Sequence, residues 1–201
     1  MRAGELAARL RALHATRTTL LVAIDGAGGS GKSRLADDLR TRLTASHVPT
    51  SIVEVDDFFL PSRRRPRGPA SEKPIGGDFD WQRLRQEVLE PLRRGQAARY
   101  SRYDWAADEM AGMSEVSPHG VVIVEGVYSS RRELASLYDL RIWVECPREL
   151  RLSRGLARDG ETARKLWEED WMPSEDRYLE EHRPQEHADA VVSGTDIDDC
   201  C

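Results

Sequence analysis

Lysine is almost missing from this chain. Of its 30 basic residues only Lys32, Lys73 and Lys165 are lysine, against 35 acidic ones, for a formal net charge of -5 over 201 residues. Affinity for a phosphate backbone requires a basic surplus, so a general nucleic-acid coat or a polybasic membrane binder is disfavoured. Cysteine is equally scarce: Cys146, Cys200 and Cys201 contain no C-x-x-C spacing and build no disulfide framework. The Cys200-Cys201 pair follows Asp198 and Asp199 rather than basic residues, and reads as a frayed, reducible tail rather than a prenylation signal. Long apolar runs are absent as well. Nothing approaches the roughly 18 consecutive apolar residues of a membrane span, and the opening MRAGELAARLRALHATR is charged and amphipathic, unlike a signal peptide. A cytoplasmic protein with neither membrane nor nucleic-acid partners is expected. The histidines are scattered, and His182 and His187 miss the spacing that puts two ligands on one helix face, which argues against a protein-only zinc site.

What is present suits a buried core: 39% hydrophobic residues and 15 glycines, at a length that fits a single domain over 1–201. Leu6, Leu10 and Leu13 recur at helical spacing, so 2–15 reads as an amphipathic helix. Apolar strands are expected at 18–24, 51–55, 121–124, 140–144 and 190–192. Helices are expected at 32–45, at 81–95 through Trp81, Leu84, Val88 and Leu92, from Pro147 onward, and over 162–181. A strand-like AARYSRYDW is followed by a polar turn region. Residues 61–77, rich in Pro, Gly and Arg, read as a long irregular loop, either binding or disordered. Strands alternating with helices predict an α/β fold built on a parallel sheet of about five strands.

Between the first strand and the next helix lies Gly26-Ala27-Gly28-Gly29-Ser30-Gly31-Lys32-Ser33, which matches G-x-x-x-x-G-K-[ST]. Glycines let successive backbone N–H groups turn into one concavity, and the helix N-terminus behind them favours phosphate oxygens. Lys32 adds a point charge at the β- and γ-phosphates, and the Ser33 hydroxyl is a ligand suited to Mg²⁺. One of the three lysines thus falls where a nucleoside triphosphate needs it.

The rest of the chain narrows the class. No [NT]-K-x-D guanine-reading motif occurs, and no Asp-Glu pair closes the third strand, whose acid is Glu125 in VVIVEG; GTPase and motor readings are thereby disfavoured. Asp56 and Asp57 end the second strand, and ligands of open α/β sheets bind beyond the carboxyl ends of strands. Phosphoryl transfer to an alcohol needs a group that orients the hydroxyl and takes its proton, and a metal that bridges the phosphates. Asp56 suits the first role; Ser33 and Glu125, with Asp56 nearby, suit the second. Arg148, Arg151, Arg154 and Arg158 share one helix face, where like charges repel unless an anion balances them. The arrangement fits a phosphate-covering lid, with Gly155 and Gly160 giving it room to move.

These stretches, GAGGSGKS (26–33), DDFF (56–59), DFDW (78–81), YDW (103–105), VVIVEG (121–126) and RLSRGLARD (151–159), together with the tail from Met172-Pro173 to Ala188-Asp189, resemble the uridine kinase/phosphoribulokinase branch of P-loop kinases. The resemblance covers most of residues 19–194. It implies strand order 2-3-1-4-5, ATP as donor and Mg²⁺ as cofactor. It also implies Asp56 as catalytic base, Glu125 as the acid of the metal site, Asp80 on the sugar hydroxyls, and Tyr103 and Trp105 lining an acceptor pocket behind the 61–77 loop. Arg151, Arg154 and Arg158 would belong to a lid at 148–164. From the residues alone, Asp80 is equally a helix cap before Trp81, and Tyr103 and Trp105 are equally core aromatics.

One feature departs from the family. Uridine-cytidine kinases usually carry a histidine shortly after a Y-x-F motif, whereas AADEM stands here, with Asp108 near that place. Asp108 would accept hydrogen bonds from an amino-bearing base or an amino alcohol. The expected function is ATP-dependent transfer of a γ-phosphoryl group to a hydroxyl of a small molecule, a nucleoside first, and a homo-oligomer is compatible with it. The alternatives are a kinase of phospho-sugars, pantothenate-like acids, nucleoside monophosphates or amino alcohols, in which Arg63, Arg64, Arg65 and Arg67 would bind an anionic acceptor, and an ATP-binding switch or hydrolase without an acceptor.

Overall fold

The computed structural model describes residues 1–195; the Cys200-Cys201 reading falls outside them. In chain order the strands are β1 (Thr19–Asp25), β2 (Thr50–Glu54), β3 (Ala98–Asp104), β4 (Glu109–Val116), β5 (Gly120–Glu125), β6 (Leu140–Glu145) and β7 (Ala190–Ser193). Five of them form one sheet, in the order β2-β5-β1-β6-β7 with every neighbouring pair parallel. Counted among themselves, these strands run 2-3-1-4-5, as expected. β1 and β5 sit inside the sheet and are buried nearly throughout, which is why they read as unbroken aliphatic runs rather than alternating ones.

Each face is covered by helices whose apolar stripes were legible. On one side Leu6 and Leu10 from the Ala3–His14 helix, and Leu35, Leu39 and Leu43 from the Lys32–Ala45 helix, pack on Leu20, Val22 and Ile123. On the other, Leu84, Val88 and Leu92 meet Leu21, Val122 and Val124, joined by Phe58 and Tyr100. Among the described residues no helix is long and apolar enough to cross a membrane.

Two helices are less regular than their periodicity implies. The 81–93 run widens to a π turn at Arg85–Leu89, where the Glu90 N–H bonds back to the Arg85 carbonyl. A second π turn, Trp167–Trp171, ends with the Met172 N–H on the Trp167 carbonyl. Each bond directly precedes a proline, Pro91 or Pro173. A proline ring inside a regular helix clashes with the carbonyl four residues back, and a π turn moves that carbonyl aside without breaking the helix.

The polar turn region expected after AARYSRYDW is instead a strand. β4 pairs antiparallel with β3, with an irregularity at Ser101/Arg102, and the hairpin stands outside the main sheet. β4 is exposed along most of its length, so it carries no apolar alternation to reveal it. The 61–77 loop is tied down by side chains: Asp108, at the hairpin turn, accepts from the Ser62 N–H at 2.9 Å and pairs with Arg65 at 3.3 Å. Arg63 pairs with Glu109 at 3.4 Å and Arg64 with Asp80 at 3.6 Å.

Candidate active site

Parallel register brings the acidic strand ends together. Glu125 lies level with Ile24 of β1 and Glu54 of β2, and Asp56 follows one short turn beyond β2. The glycine loop rises from β1 into the same space. Asp25, fully buried at the end of that strand, accepts from the Gly26 N–H at 2.7 Å, the Ser130 N–H and hydroxyl at 2.9 and 2.7 Å, and the Tyr178 hydroxyl at 2.6 Å, so the start of the loop is fixed from four directions. Gly31, at φ 98°, ends the loop in a left-handed conformation that favours glycine, and Lys32 begins the helix.

A cleft of about 710 Å³ opens above the loop. It brings together Gly28, Gly29, Gly31, Lys32 and Ser33 of the loop, Asp56 and Glu125 of the strand ends, Arg154 and Arg158 of the Arg148–Asp159 helix, and Trp105. Gly26, Ala27 and Ser30 lie buried behind that surface and shape it; a Cβ on Gly26 would come within 2.6 Å of the Val144 carbonyl oxygen. Lys32 is buried, its ammonium donating to the Ala27 carbonyl at 3.0 Å.

Four expected site residues sit elsewhere. Asp80 accepts from the Arg83 N–H at 3.1 Å, capping the helix that starts at Trp81, and it faces a neighbouring groove. The Tyr103 hydroxyl donates to Asp108 at 2.7 Å while its ring packs on Phe59 and Trp105. Asp108 itself is held by Ser62, Tyr103 and Arg65, and these hydrogen bonds keep its carboxyl well below the usual range. Arg151 turns inward, where it pairs with Glu175 at 3.0 Å, both side chains 7% exposed. The arginine face is therefore split: Arg151 is held by Glu175, Arg148 pairs outside with Asp176, and Arg154 and Arg158 reach the cleft. Gly155 packs against Trp167, whose ring an added Cβ would meet at 2.4 Å.

Sequence reasoning missed Glu175. Its other oxygen accepts from the Gly28 N–H at 2.8 Å, so one buried carboxylate holds both the glycine loop and Arg151. It also missed Tyr128 and Trp171, which line the same cleft.

The acids of the site are tuned by burial. Asp56 touches water in the cleft but is crowded by protein, which pushes its carboxyl up, while Lys32 and Arg158 pull the other way. Glu125 is pushed up to about 7 by burial, opposed by Lys32 and reinforced by Asp56. Its partner is the Ser33 hydroxyl, which donates to it at 3.1 Å. Among the described residues no cluster of three or more His, Cys, Asp or Glu could cage an ion. One hydroxyl and two acids beside a phosphate cradle nevertheless fit Mg²⁺, which takes few protein ligands and keeps phosphate oxygens and waters.

A raised carboxyl has a stability consequence. Because Glu125 ionises in the native state only near pH 7, against 4.5 when unfolded, its contribution is complete below about pH 4.5 and is lost as pH rises through about 7. Without ligand, Glu125→Gln is expected to match the wild type at pH 4 and to exceed it at pH 8, by up to about 3 kcal/mol or several degrees in melting temperature. Thermal melts across that range check this.

An apolar parallel sheet, a glycine loop opening a helix and acids at the neighbouring strand ends define the P-loop kinase fold. The model of the Phosphoribulokinase / Uridine kinase family matches residues 21–169, and the chain belongs to that family. It is similar to the uridine kinase of Mycoplasma pneumoniae, 30% identical over 185 residues that cover 86% of this chain and 84% of that one. A provisionally assigned uridine kinase from Bacillus stearothermophilus shares the fold, with a TM-score of 0.70, 22% identity and coverage of 93% and 98%. A chain provisionally assigned as a fructose transport system kinase from Silicibacter sp. TM1040 superposes with a TM-score of 0.75 at 28% identity, covering 96% of this chain and 99% of that one.

Proposed function

We propose that this kinase transfers the γ-phosphoryl group of ATP, with Mg²⁺, to a hydroxyl of an uncharged, nucleoside-like small molecule. The observation that carries the reading is that Asp56 lines one cleft with Lys32 and the glycine loop. In this reading Asp56 orients the acceptor hydroxyl and takes its proton. The loop amides and Lys32 hold the β- and γ-phosphates, and Arg154 and Arg158 offset the charge that spreads over the transferring group. Ser33 and Glu125, with Asp56 nearby, would hold Mg²⁺, which when bound neutralises phosphate charge.

The far wall supports a planar, uncharged acceptor over an anionic one. Phe59, Phe79, Trp105 and Tyr128 line the cleft, and Trp105, 59% exposed, stacks on Phe59 at 4.7 Å and meets the Tyr103 ring at 5.0 Å. Arg63, Arg64 and Arg65, three of the four arginines an anionic acceptor would use, are paired with carboxylates. The engagement of Asp108 with Ser62 and Tyr103 likewise weakens the amino-alcohol reading. A coupled assay of ADP release across nucleosides, sugars, phospho-sugars and amino alcohols tests the proposal. Nucleosides should stimulate release by the wild type and not by Lys32→Ala; release indifferent to every acceptor would mark a hydrolase or switch instead.

A further inference from the structure

We infer that the Tyr128 hydroxyl is a further catalytic donor, hydrogen-bonding an oxygen of the phosphoryl group as it passes from ATP to the acceptor; the assignment rests on the phosphotransfer reading above. Of the five tyrosines, Tyr100, Tyr103 and Tyr178 donate to Asp57, Asp108 and Asp25. The Tyr138 hydroxyl is sealed in the core without a partner. Tyr128 differs from all four: it lines the cleft, and its hydroxyl has no hydrogen-bond partner among the described residues without being sealed from solvent. A phenol offers one O–H donor, so an idle donor borders the space that Lys32, Asp56 and the glycine loop share.

The fold holds Tyr128 there against its backbone preference. Its φ of 69° is left-handed, a conformation a bulky side chain rarely adopts and keeps only where its surroundings impose it. The turn that follows Glu125 imposes it. The Gly126 N–H and the Ser129 hydroxyl both donate to the Ile24 carbonyl at 3.1 Å, Ser130 donates to Asp25, and the Arg131 N–H closes on the Tyr128 carbonyl at 3.2 Å. The ring is held as well: Tyr178 meets it edge-on at 4.8 Å, Phe79 at 5.7 Å, and a Cβ on Gly76 would come within 3.1 Å of it. Burial, with Glu175, Asp78 and Asp25 nearby, pushes the phenol up, so it stays protonated. One of those acids, Glu175, also holds the Gly28 N–H, which places Tyr128 beside the glycine loop. In a loose transition state charge spreads over three phosphoryl oxygens, and a fixed neutral donor meets that charge without repelling Lys32. As the bond from the γ-phosphorus to the ADP oxygen breaks and the acceptor oxygen forms the new one, the acceptor proton goes to Asp56. Tyr128 keeps its own proton throughout.

Tyr128→Phe keeps the ring and deletes the donor. With uridine, cytidine or adenosine, whichever the wild type phosphorylates fastest, kcat should fall about 10- to 100-fold. The KM values for ATP and the nucleoside should stay within about threefold, and the midpoint of urea denaturation should not move. A transition-state mimic separates donation from packing. Affinity for ADP with aluminium fluoride and the same nucleoside should fall by about the same factor as kcat, while affinity for ADP alone stays within about twofold. A kcat within about twofold of the wild type, an effect confined to the nucleoside KM, or weakened binding of ADP alone would overturn the assignment while leaving phosphotransfer standing. No acceptor-dependent turnover in the wild type would overturn both.

Discussion

Asp56→Asn is expected to lower turnover by roughly 10²- to 10⁴-fold while ATP binding stays within about threefold. The asparagine keeps the shape of the side chain and its place beyond β2, but it cannot take a proton from an acceptor hydroxyl. It also leaves the glycine loop, Lys32 and the Ser33–Glu125 pair untouched, and in this account these hold the donor. Isothermal titration with ADP and single-turnover kinetics separate the two effects. A variant that lost affinity and turnover together would make Asp56 part of donor binding instead.

The second large effect is on folding. Arg151 and Glu175 are both buried, and breaking such a pair by removing one partner strands the other charge away from water, at a cost of about 3–5 kcal/mol. Glu175→Ala should show that loss in urea denaturation, and should also weaken ADP binding because the Gly28 N–H loses its acceptor. Glu175→Gln should lose less, since its amide oxygen still accepts from Gly28. Combining Arg151→Met with Glu175→Gln should recover much of the stability, because no unpaired charge remains. Strictly additive losses in the double variant would show that the pair is not coupled.

Where the sequence was informative, the signal was local. The glycine loop is eight contiguous residues between a strand and a helix, and Asp56 and Glu125 are marked by their place at strand ends, so all three could be read without knowing any long-range contact. Arg151 could not. Helical spacing put it on a face with Arg154 and Arg158, but which neighbour turns inward depends on Glu175, far along the chain. Glu175's one local sign is its position three residues before Tyr178; both side chains reach the base of the glycine loop. β4 hid because a strand exposed along its length has no buried face to impose alternation.

The three lysines divide accordingly. Lys32 is buried in the phosphate cradle, Lys73 joins the acceptor-side loop to Asp170, and Lys165 makes only an exposed pair with Glu169. The central claim is that the cleft passes a phosphoryl group from ATP to an alcohol. Mass spectrometry of a nucleoside acceptor after incubation with ATP and Mg²⁺ tests it most directly. One added phosphoryl group per acceptor is expected with the wild type and none with Lys32→Ala; ADP and free phosphate formed at the same rate with or without acceptor, and an unmodified acceptor, would contradict phosphotransfer.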